Sequence, residues 1–299
     1  MTTEVCAVVV AFHPDDEFEL RLINVLAQIG ALVVVDNTPP EVRRRSIAMP
    51  AEANKPVRLI ENTYNLGVAT ALNQGLVQAL EWNFGWLLTL DQDSHCYPDM
   101  VRTLLRVHAA CVPTVAVIGG NYFDSRNGKT KVPIGADGEF LDQKTVITSG
   151  CLVDTNFSKT IGGFREDYFI DQLDREFCLR ARANGGQVVI SRKPVMRHSV
   201  GEAGGIWLPL FGHLPNHSPM RKYYVARNSL VTIAIYWRRE PMWCLVRGSR
   251  LFLGFFLMAL LERQKLDKTM AFFFGIADGI SGKMGRCRHQ LSREVKTFS

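Results

Sequence analysis

Trp86-Leu87-Leu88-Thr89-Leu90-Asp91-Gln92-Asp93 is the stretch whose reading decides the fold. Its apolar residues, with one interleaved Thr, read as a buried strand that stops on two carboxylates one residue apart. Side-chain alternation breaks down where a strand ends and the chain turns. Asp91 and Asp93 can then face one point in the crevice beyond the carboxyl end of a sheet. Two hard oxygen ligands there suit Mg²⁺ or Mn²⁺, ions held by one or two carboxylates plus substrate phosphates. A bare D-x-D is equally a solvated acidic turn, so the surrounding chain must decide between the two.

Upstream, the apolar run Val5 to Phe12 ends in His13-Pro14-Asp15-Asp16, a strand followed by a turn. Phe18, Leu22, Val25, Leu26 and Ile29 mark an amphipathic helix that stops at Gly30. Ala31 to Val35 and Val57 to Ile60 are further strands, closing on Asp36-Asn37 and Glu61-Asn62. A helix from Leu66 to Leu80 leads into the Trp86 strand. Strands alternating with helices predict right-handed crossovers and a mostly parallel sheet with helices on both faces. Pro98 to Ala110 reads as a helix and Thr114 to Gly119 as a strand, with a loop or small hairpin over 121–146 and a last strand at Val188-Val189-Ile190.

In such a sheet, ligands sit beyond the carboxyl ends of the strands. All four strands end in polar residues: His13/Asp15, Asp36/Asn37, Asn62/Asn65 and Asp91/Asp93. Any one could be an ordinary turn; four on one rim make a site. No G-x-G-x-x-G follows the first strand and no G-x-x-x-x-G-K-[ST] occurs, which disfavours a dinucleotide fold and a P-loop NTPase.

The ordered set Asp36-Asn37, Asn62-x-x-Asn65-x-Gly67-x-Ala69-x-Ala71-x-Asn73-x-Gly75 and Asp91-x-Asp93 resembles glycosyltransferase family 2, the nucleotide-sugar transferases of the GT-A fold. The resemblance spans roughly residues 5 to 230 and is greatest to bacterial dTDP-rhamnosyltransferases of cell-surface polysaccharide (O-antigen) synthesis. It implies that Phe12, His13 and Pro14 line a base pocket and that Asp36 bonds the base or ribose. Asn65, Gly67, Asn73, Gln92 and Gly150 would be further donor contacts. For Asn65 a plain helix cap competes with that role, and for Gly150 a strand-edge turn. Asp91 and Asp93, completed by His198, would hold a divalent cation, Mg²⁺ or Mn²⁺.

The same resemblance sets Asp174 against the general base of an inverting transfer, with Asp171 as its rival. Where the family shows Glu-Asp-x-Asp, this chain has Leu173-Asp174-Arg175-Glu176. The competing reading is a solvated helix face with Asp171–Arg175 and Glu176–Arg180 pairs. Residues 201–219, rich in Gly, Pro and His, read as a lid. Arg221, Tyr223, Tyr224, Arg227 and Asn228 open a helix in which the resemblance makes Arg227 a diphosphate neighbour; a basic helix face is the alternative.

The 299 residues allow one or two domains, and we expect a catalytic domain over 1–220 and a basic helical region over 221–299. Seven cysteines without a C-x-x-C pair fit reduced thiols in a cytosolic setting. The N terminus shows no signal-peptide pattern. Net charge is +6, unevenly placed: residues 221–299 carry 15 Lys/Arg against 5 Asp/Glu, and residues 1–220 carry 20 against 24. Leu230 to Trp237 and Arg250 to Leu261 are apolar; the second is too short to span a bilayer and is flanked by cations. It therefore reads as an interfacial helix, a packed subdomain or an oligomer contact. The expected whole is a cytoplasmic enzyme, peripheral on the inner face of the cell membrane. It would move L-rhamnose from dTDP-rhamnose to a glycan or lipid-linked glycan acceptor. The alternatives are a UDP-sugar donor (galactofuranose or GlcNAc) and a non-catalytic nucleotide-sugar-binding module. The basic tail carries no named nucleic-acid motif, and no nucleic-acid partner is expected.

Overall fold

A computed structural model describes residues 4–51, 54–111, 114–125, 128–135, 138–198, 206–208, 212–214 and 216–291. The chain divides into two compact units, Met1–Arg165 with Phe177–Ser199, and Glu166–Glu176 with Val200–Ser299. The lid expected over 201–219 lies largely outside the described residues, as do 292–299.

The first unit begins β1 (Val5–Ala11), α1 (Phe18–Leu26), β2 (Ala31–Asp36), β3 (Val57–Glu61), α2 (Val68–Glu81) and β4 (Trp86–Asp91). These strands run parallel in the order β3-β2-β1-β4. The Val- and Leu-rich runs of β1, β2 and β4 are buried on both faces, as helices on both sides require, while edge strand β3 is partly exposed. Strand period sorts the faces. Val5, Ala7 and Val9 of β1 share a core with Phe18, Leu22 and Val25 of α1. On the other face, Val8 meets α2, where a Cβ added to Gly75 would lie 2.3 Å from Val8 Cγ2. The glycine lets the helix sit close on the strand.

There follow β5 (His95–Cys96), α3 (Met100–Ala110), β6 (Val115–Asp124), β7 (Lys129–Thr130), β8 (Phe140–Asp142), β9 (Cys151–Asp154), α4 (Thr155–Thr160), α5 (Leu173–Ala183) and β10 (Gln187–Arg197). The sheet continues β4-β9-β6-β10-β5. Antiparallel strands enter the sheet here: β9 lies antiparallel between β4 and β6, while β6 and β10 are parallel. The strand expected to end at Gly119 continues to Asp124. Asn121, fully buried, allows this because its amide donates to the carbonyls of Val132 and Arg192 at 3.1 and 2.8 Å.

The second unit holds the hairpin β11 (Ile206–Leu208) and β12 (Gly212–Leu214) and the helices α6 (Pro219–Tyr236), α7 (Pro241–Leu261) and α8 (Lys265–Ile280). Ser218 caps α6 by accepting from the Arg221 N–H, with Pro219 at the first helical position. Gly275 and Gly279, four apart on α8, bring its backbone against α6, where added Cβ atoms would lie 2.4 Å from Tyr223 O and 3.3 Å from Arg227 O. Glu262, 3% exposed, bonds the ammonium groups of Lys222 at 2.6 Å and Lys268 at 2.7 Å. Burial pulls the Lys222 ammonium below its usual range, and the Glu262 hydrogen bond opposes this. α7 corrects a second expectation. The apolar segment runs 21 residues from Pro241, long and apolar enough to cross a membrane by length and composition.

Two substitutions test these packing arguments. Gly75→Ala should lower the melting temperature despite the better helix propensity of Ala, because overpacking against Val8 costs about 1–3 kcal/mol. Glu262→Gln removes the charge that two buried ammonium groups share. It should destabilise the fold by roughly 3–5 kcal/mol, read by chemical denaturation.

Candidate active site

The carboxyl ends of β2, β1 and β4 form one rim of the first unit. Register sets Ala11 of β1 opposite Asp36 of β2, and Val10 opposite Asp91 of β4. Asp36 and Asp91 thus flank the end of one strand, about 10 Å apart along the rim at two strand spacings.

Asp36 is 1% exposed. Its Oδ1 accepts from the Thr38 N–H at 2.8 Å, and Oδ2 lies 3.0 Å from Arg43 Nε. That pair is off the hydrogen-bonding angle, so Oδ2 is a buried oxygen with no hydrogen-bond donor of its own. Arg43 also pairs with Glu61 at 2.8 Å. Beside Asp36, Asn37 donates to Gly67 O at 3.0 Å and accepts from Asn62 at 2.8 Å, tying the strand ends to the start of α2. Asn65 Oδ1 accepts from Gly67 N–H at 2.9 Å, an Asx turn that sets Gly67 at φ +87°. Asn65 thus closes the turn ahead of α2 and does not cap the helix, whose N-cap is Gly67.

At the end of β1, Phe12 and Pro14 are half-buried and His13 is exposed at φ +50°, its N–H held by Thr38 Oγ1 at 2.8 Å. The Gln92 amide bonds both backbone groups of Phe12, accepting at 2.7 Å and donating at 3.1 Å. Gln92 is thus a clip between the ends of β1 and β4. Arg21 secures the same corner, donating to Gln92 O at 2.7 Å and pairing with Asp15.

Asp91, Asp93 and His198 come together: one ligand atom from each lies within 4.8 Å of the others. β4 delivers the carboxylates, and β10, through Arg197, delivers the imidazole. His198 is 9% exposed with its ring edge-on to Tyr122, and its Nδ1 is buried with no hydrogen-bond partner. Two carboxylate oxygens and an unsatisfied imidazole nitrogen fit a Mg²⁺ or Mn²⁺ ion. Ser149, 2% exposed, accepts from the Asp91 N–H at 3.2 Å and bonds Ser94, so it fixes the turn that aims Asp91. Sequence reasoning missed Ser94, Arg21 and Arg43, since nothing in a lone Ser or an Arg run signals a partner far along the chain.

Two expected donor contacts have structural roles instead. Asn73 donates to Phe164 O at 2.8 Å and accepts from Phe164 N–H at 2.7 Å, so both ends of its amide are committed to one backbone residue. Gly150, at φ +78°, has Met196 where a Cβ would stand, 2.8 Å from its methyl carbon. The close approach there is to a methionine.

In the second unit, Arg227 is fully buried and its guanidinium is saturated. Nε donates to Asn228 Oδ1, Nη1 to Tyr223 Oη and Gly285 O, and Nη2 to Asp167 O and Tyr168 O. Five N–H groups meet five acceptors, so the expected diphosphate contact is corrected to a structural clamp. Asn228 adds bonds of 2.9 Å to the carbonyls of Tyr168, Ile170 and Asp171. Phe169, Asp171 and Gln172 stand at φ +65°, +62° and +65°, left-handed positions rare outside glycine. Asp171 is engaged bidentately by Arg221 at 3.0 and 3.3 Å. Asp174, half-buried in the first turn of α5, makes no hydrogen bond or ion pair among the described residues. Arg247 lies in the field of both carboxylates, and burial pushes its guanidinium down to about 9. Glu176, 2% exposed, accepts from Tyr236 Oη at 3.0 Å.

Comparison with known proteins agrees with this geometry. Residues 8–171 match the model of glycosyl transferase family 2. The chain is 25% identical over 313 residues to the dTDP-rhamnosyl transferase RfbF of Shigella flexneri, covering 97% of this chain and 99% of that one. Among solved structures, residues 1–349 of S. aureus TarS share the fold at a TM-score of 0.58 and 13% identity, over 93% of this chain and 81% of that one. The TarS complex with UDP-GlcNAc gives a TM-score of 0.59, with the same identity and coverage. The chain belongs to glycosyltransferase family 2 and is an enzyme that transfers a sugar from a nucleotide-sugar donor.

Proposed function

We propose that the protein is an inverting, metal-dependent transferase that moves L-rhamnose from dTDP-rhamnose to a hydroxyl of a cell-surface glycan precursor. The observation that carries this reading is the convergence of Asp91, Asp93 and His198 beside Asp36 on one strand-end rim. Oδ2 of Asp36, ion-paired with Arg43 but accepting no hydrogen bond, suits the imide N–H of thymine or uracil, and the ~10 Å span to Asp91 matches the reach from base to diphosphate. Phe12 and Pro14 provide the apolar walls for the base.

A cation held by Asp91, Asp93 and His198 would act as a Lewis acid, offsetting charge on the departing nucleoside diphosphate. Asp174 would take the proton of the acceptor hydroxyl as that oxygen attacks the anomeric carbon from the face opposite the diphosphate. Among the described residues its carboxylate makes no hydrogen bond or ion pair, which favours it over Asp171, whose two oxygens are occupied by Arg221. Thymine and uracil present the same imide to Asp36. The choice of dTDP-rhamnose therefore rests on the S. flexneri relative, matched over nearly its whole length.

A thermal-shift panel of dTDP-rhamnose, UDP-galactofuranose and UDP-GlcNAc, each with and without Mn²⁺, tests donor and metal together. A ligand at 100 times its Kd stabilises the fold by about 2.7 kcal/mol. The expected result is a shift with dTDP-rhamnose that needs Mn²⁺ and is lost in Asp93→Asn. A shift with a UDP-sugar alone would overturn the rhamnose assignment, and a metal-independent shift would overturn the role of the triad. Asp174→Asn should bind donor with unchanged Kd while kcat falls by roughly 10²–10⁴. Weakened donor binding, or turnover near wild type, would sink Asp174 as the base.

A further inference from the structure

The second unit concentrates exposed apolar surface. Of 21 large hydrophobic residues exposed among the described residues, 15 lie between Ile235 and Ile280. They are not scattered. Met242, Leu245 and Val246 lie on the first turns of α7, Phe252, Phe256 and Leu260 recur every four residues along its second half, and Leu266, Met270, Phe273 and Ile280 follow at spacings of four, three and seven along α8. The rings of Phe252, Phe256, Phe255 and Phe273 join the two stripes, with centroids 4.6, 5.5 and 5.4 Å apart in turn. A monomeric soluble protein rarely leaves so large a contiguous patch open.

What surrounds the patch says what covers it. Arg238 and Arg239 are exposed beside Trp237 at one end of α7, and Arg263 and Lys265 are exposed at the other. Beyond α8, a cavity of about 340 Å³ is lined by buried Tyr223 and Asp278 and by exposed Lys283, Arg286 and Arg288. Its one carboxylate, Asp278, is already bonded by Tyr223 Oη at 2.7 Å and His289 Nε2 at 2.8 Å, leaving a net positive pocket. His289 stacks on the half-exposed Phe274 at 4.4 Å, so the pocket borders the apolar stripe of α8. A phosphate headgroup with its hydrocarbon alongside has this pairing of chemistries. α7 keeps one side against its neighbours: Cys244 and Met258 are buried, and Arg247 donates to Ser229 of α6 at 2.8 Å. A helix so held offers a bilayer one face only.

We propose that the α7–α8 face is a docking surface for an anionic phospholipid bilayer, with the helices lying in the plane of the interface and the Lys283–Arg286–Arg288 pocket seating a lipid phosphate. This inference does not rest on the donor or the metal assigned above.

Vesicle flotation tests it with the full chain. Wild-type protein should float with vesicles of phosphatidylcholine and phosphatidylglycerol (three to one), stay behind with pure phosphatidylcholine, and release at high salt as screening rises. The double substitution Phe252→Glu, Leu260→Glu, at sites 67% exposed, should abolish flotation while leaving the melting temperature unchanged. Lys283→Ala, Arg286→Ala and Arg288→Ala together should weaken binding roughly a hundredfold, at about fivefold per cation. Leu20→Glu, equally exposed on α1, should change nothing. Equal flotation with neutral vesicles would overturn the headgroup seat. Resistance to alkaline carbonate would overturn the in-plane orientation in favour of a spanning α7. A dimer that dissociates in the Phe252/Leu260 variant, with no flotation by wild type, would assign the face to a second copy of the chain.

Discussion

One buried cation organises the second unit. Arg227 has no carboxylate beside it among the described residues; its charge is met by carbonyl dipoles, an amide, a phenol and the faces of Tyr223 and Tyr224, 5.3 and 5.0 Å from its central carbon. A buried charge left unpaired would be costly, so each of the five donors matters. Three of the acceptors are backbone carbonyls, two from residues 167–168 and one from Gly285, far apart in sequence. This is why residues 166–176 belong with the C-terminal helices and not with the flanking sheet. The left-handed residues Phe169, Asp171 and Gln172 each cost on the order of 1–3 kcal/mol and persist only where their surroundings over-determine them. Arg227 and Asn228 supply that determination. A lysine at 227 could not, because a point charge with three donors cannot reproduce a planar five-donor fork.

In the first unit, the corresponding constraint is the common direction of β3, β2, β1 and β4. Parallel strands carry their carboxyl ends to one rim, and side chains that follow them become neighbours across strands distant in sequence. The amides there do not act as independent turn residues: Asn37, Asn62 and Gln74 bond one another in a chain, Asn62 and Gln74 at 3.1 and 2.9 Å. This satisfied network fixes the backbone around Asp36, whose second oxygen is left to an ion pair with Arg43 and accepts no hydrogen bond.

Much of this was legible in the sequence, and the failures share a cause. Apolar runs ending in polar residues gave the four parallel strands. Strand direction is not encoded in composition, so antiparallel β9, a short apolar run like any other, went unread. Asn73 and Arg227 were assigned to a ligand, and each bonds backbone groups of this chain. A buried polar residue that bonds backbone and one that bonds substrate look identical in sequence, because both need the same donors. Only the second half of α7, Arg250 to Leu261, was read as an apolar segment, because Arg247 interrupts the pattern ahead of it; the interruption is local, since Arg247 turns inward to Ser229.

The same accounting of charges bears on the metal. The rim presents Asp36, Asp91 and Asp93 to what we propose is a diphosphate-bearing donor, an arrangement that like charges alone would oppose. Two nearby arginines are committed to the protein: Arg43 to Asp36 and Glu61, Arg21 to Asp15 and the carbonyl of Gln92. Arg45 is drawn off by Glu19, whose carboxyl it holds below the usual range against the opposing effect of burial. With those side-chain cations spent on shaping the rim, the proposed diphosphate would be neutralised by an ion from solution. The Asp91–Asp93–His198 cluster, with the unsatisfied nitrogen of His198 facing no protein donor or acceptor, is chemically suited to hold it.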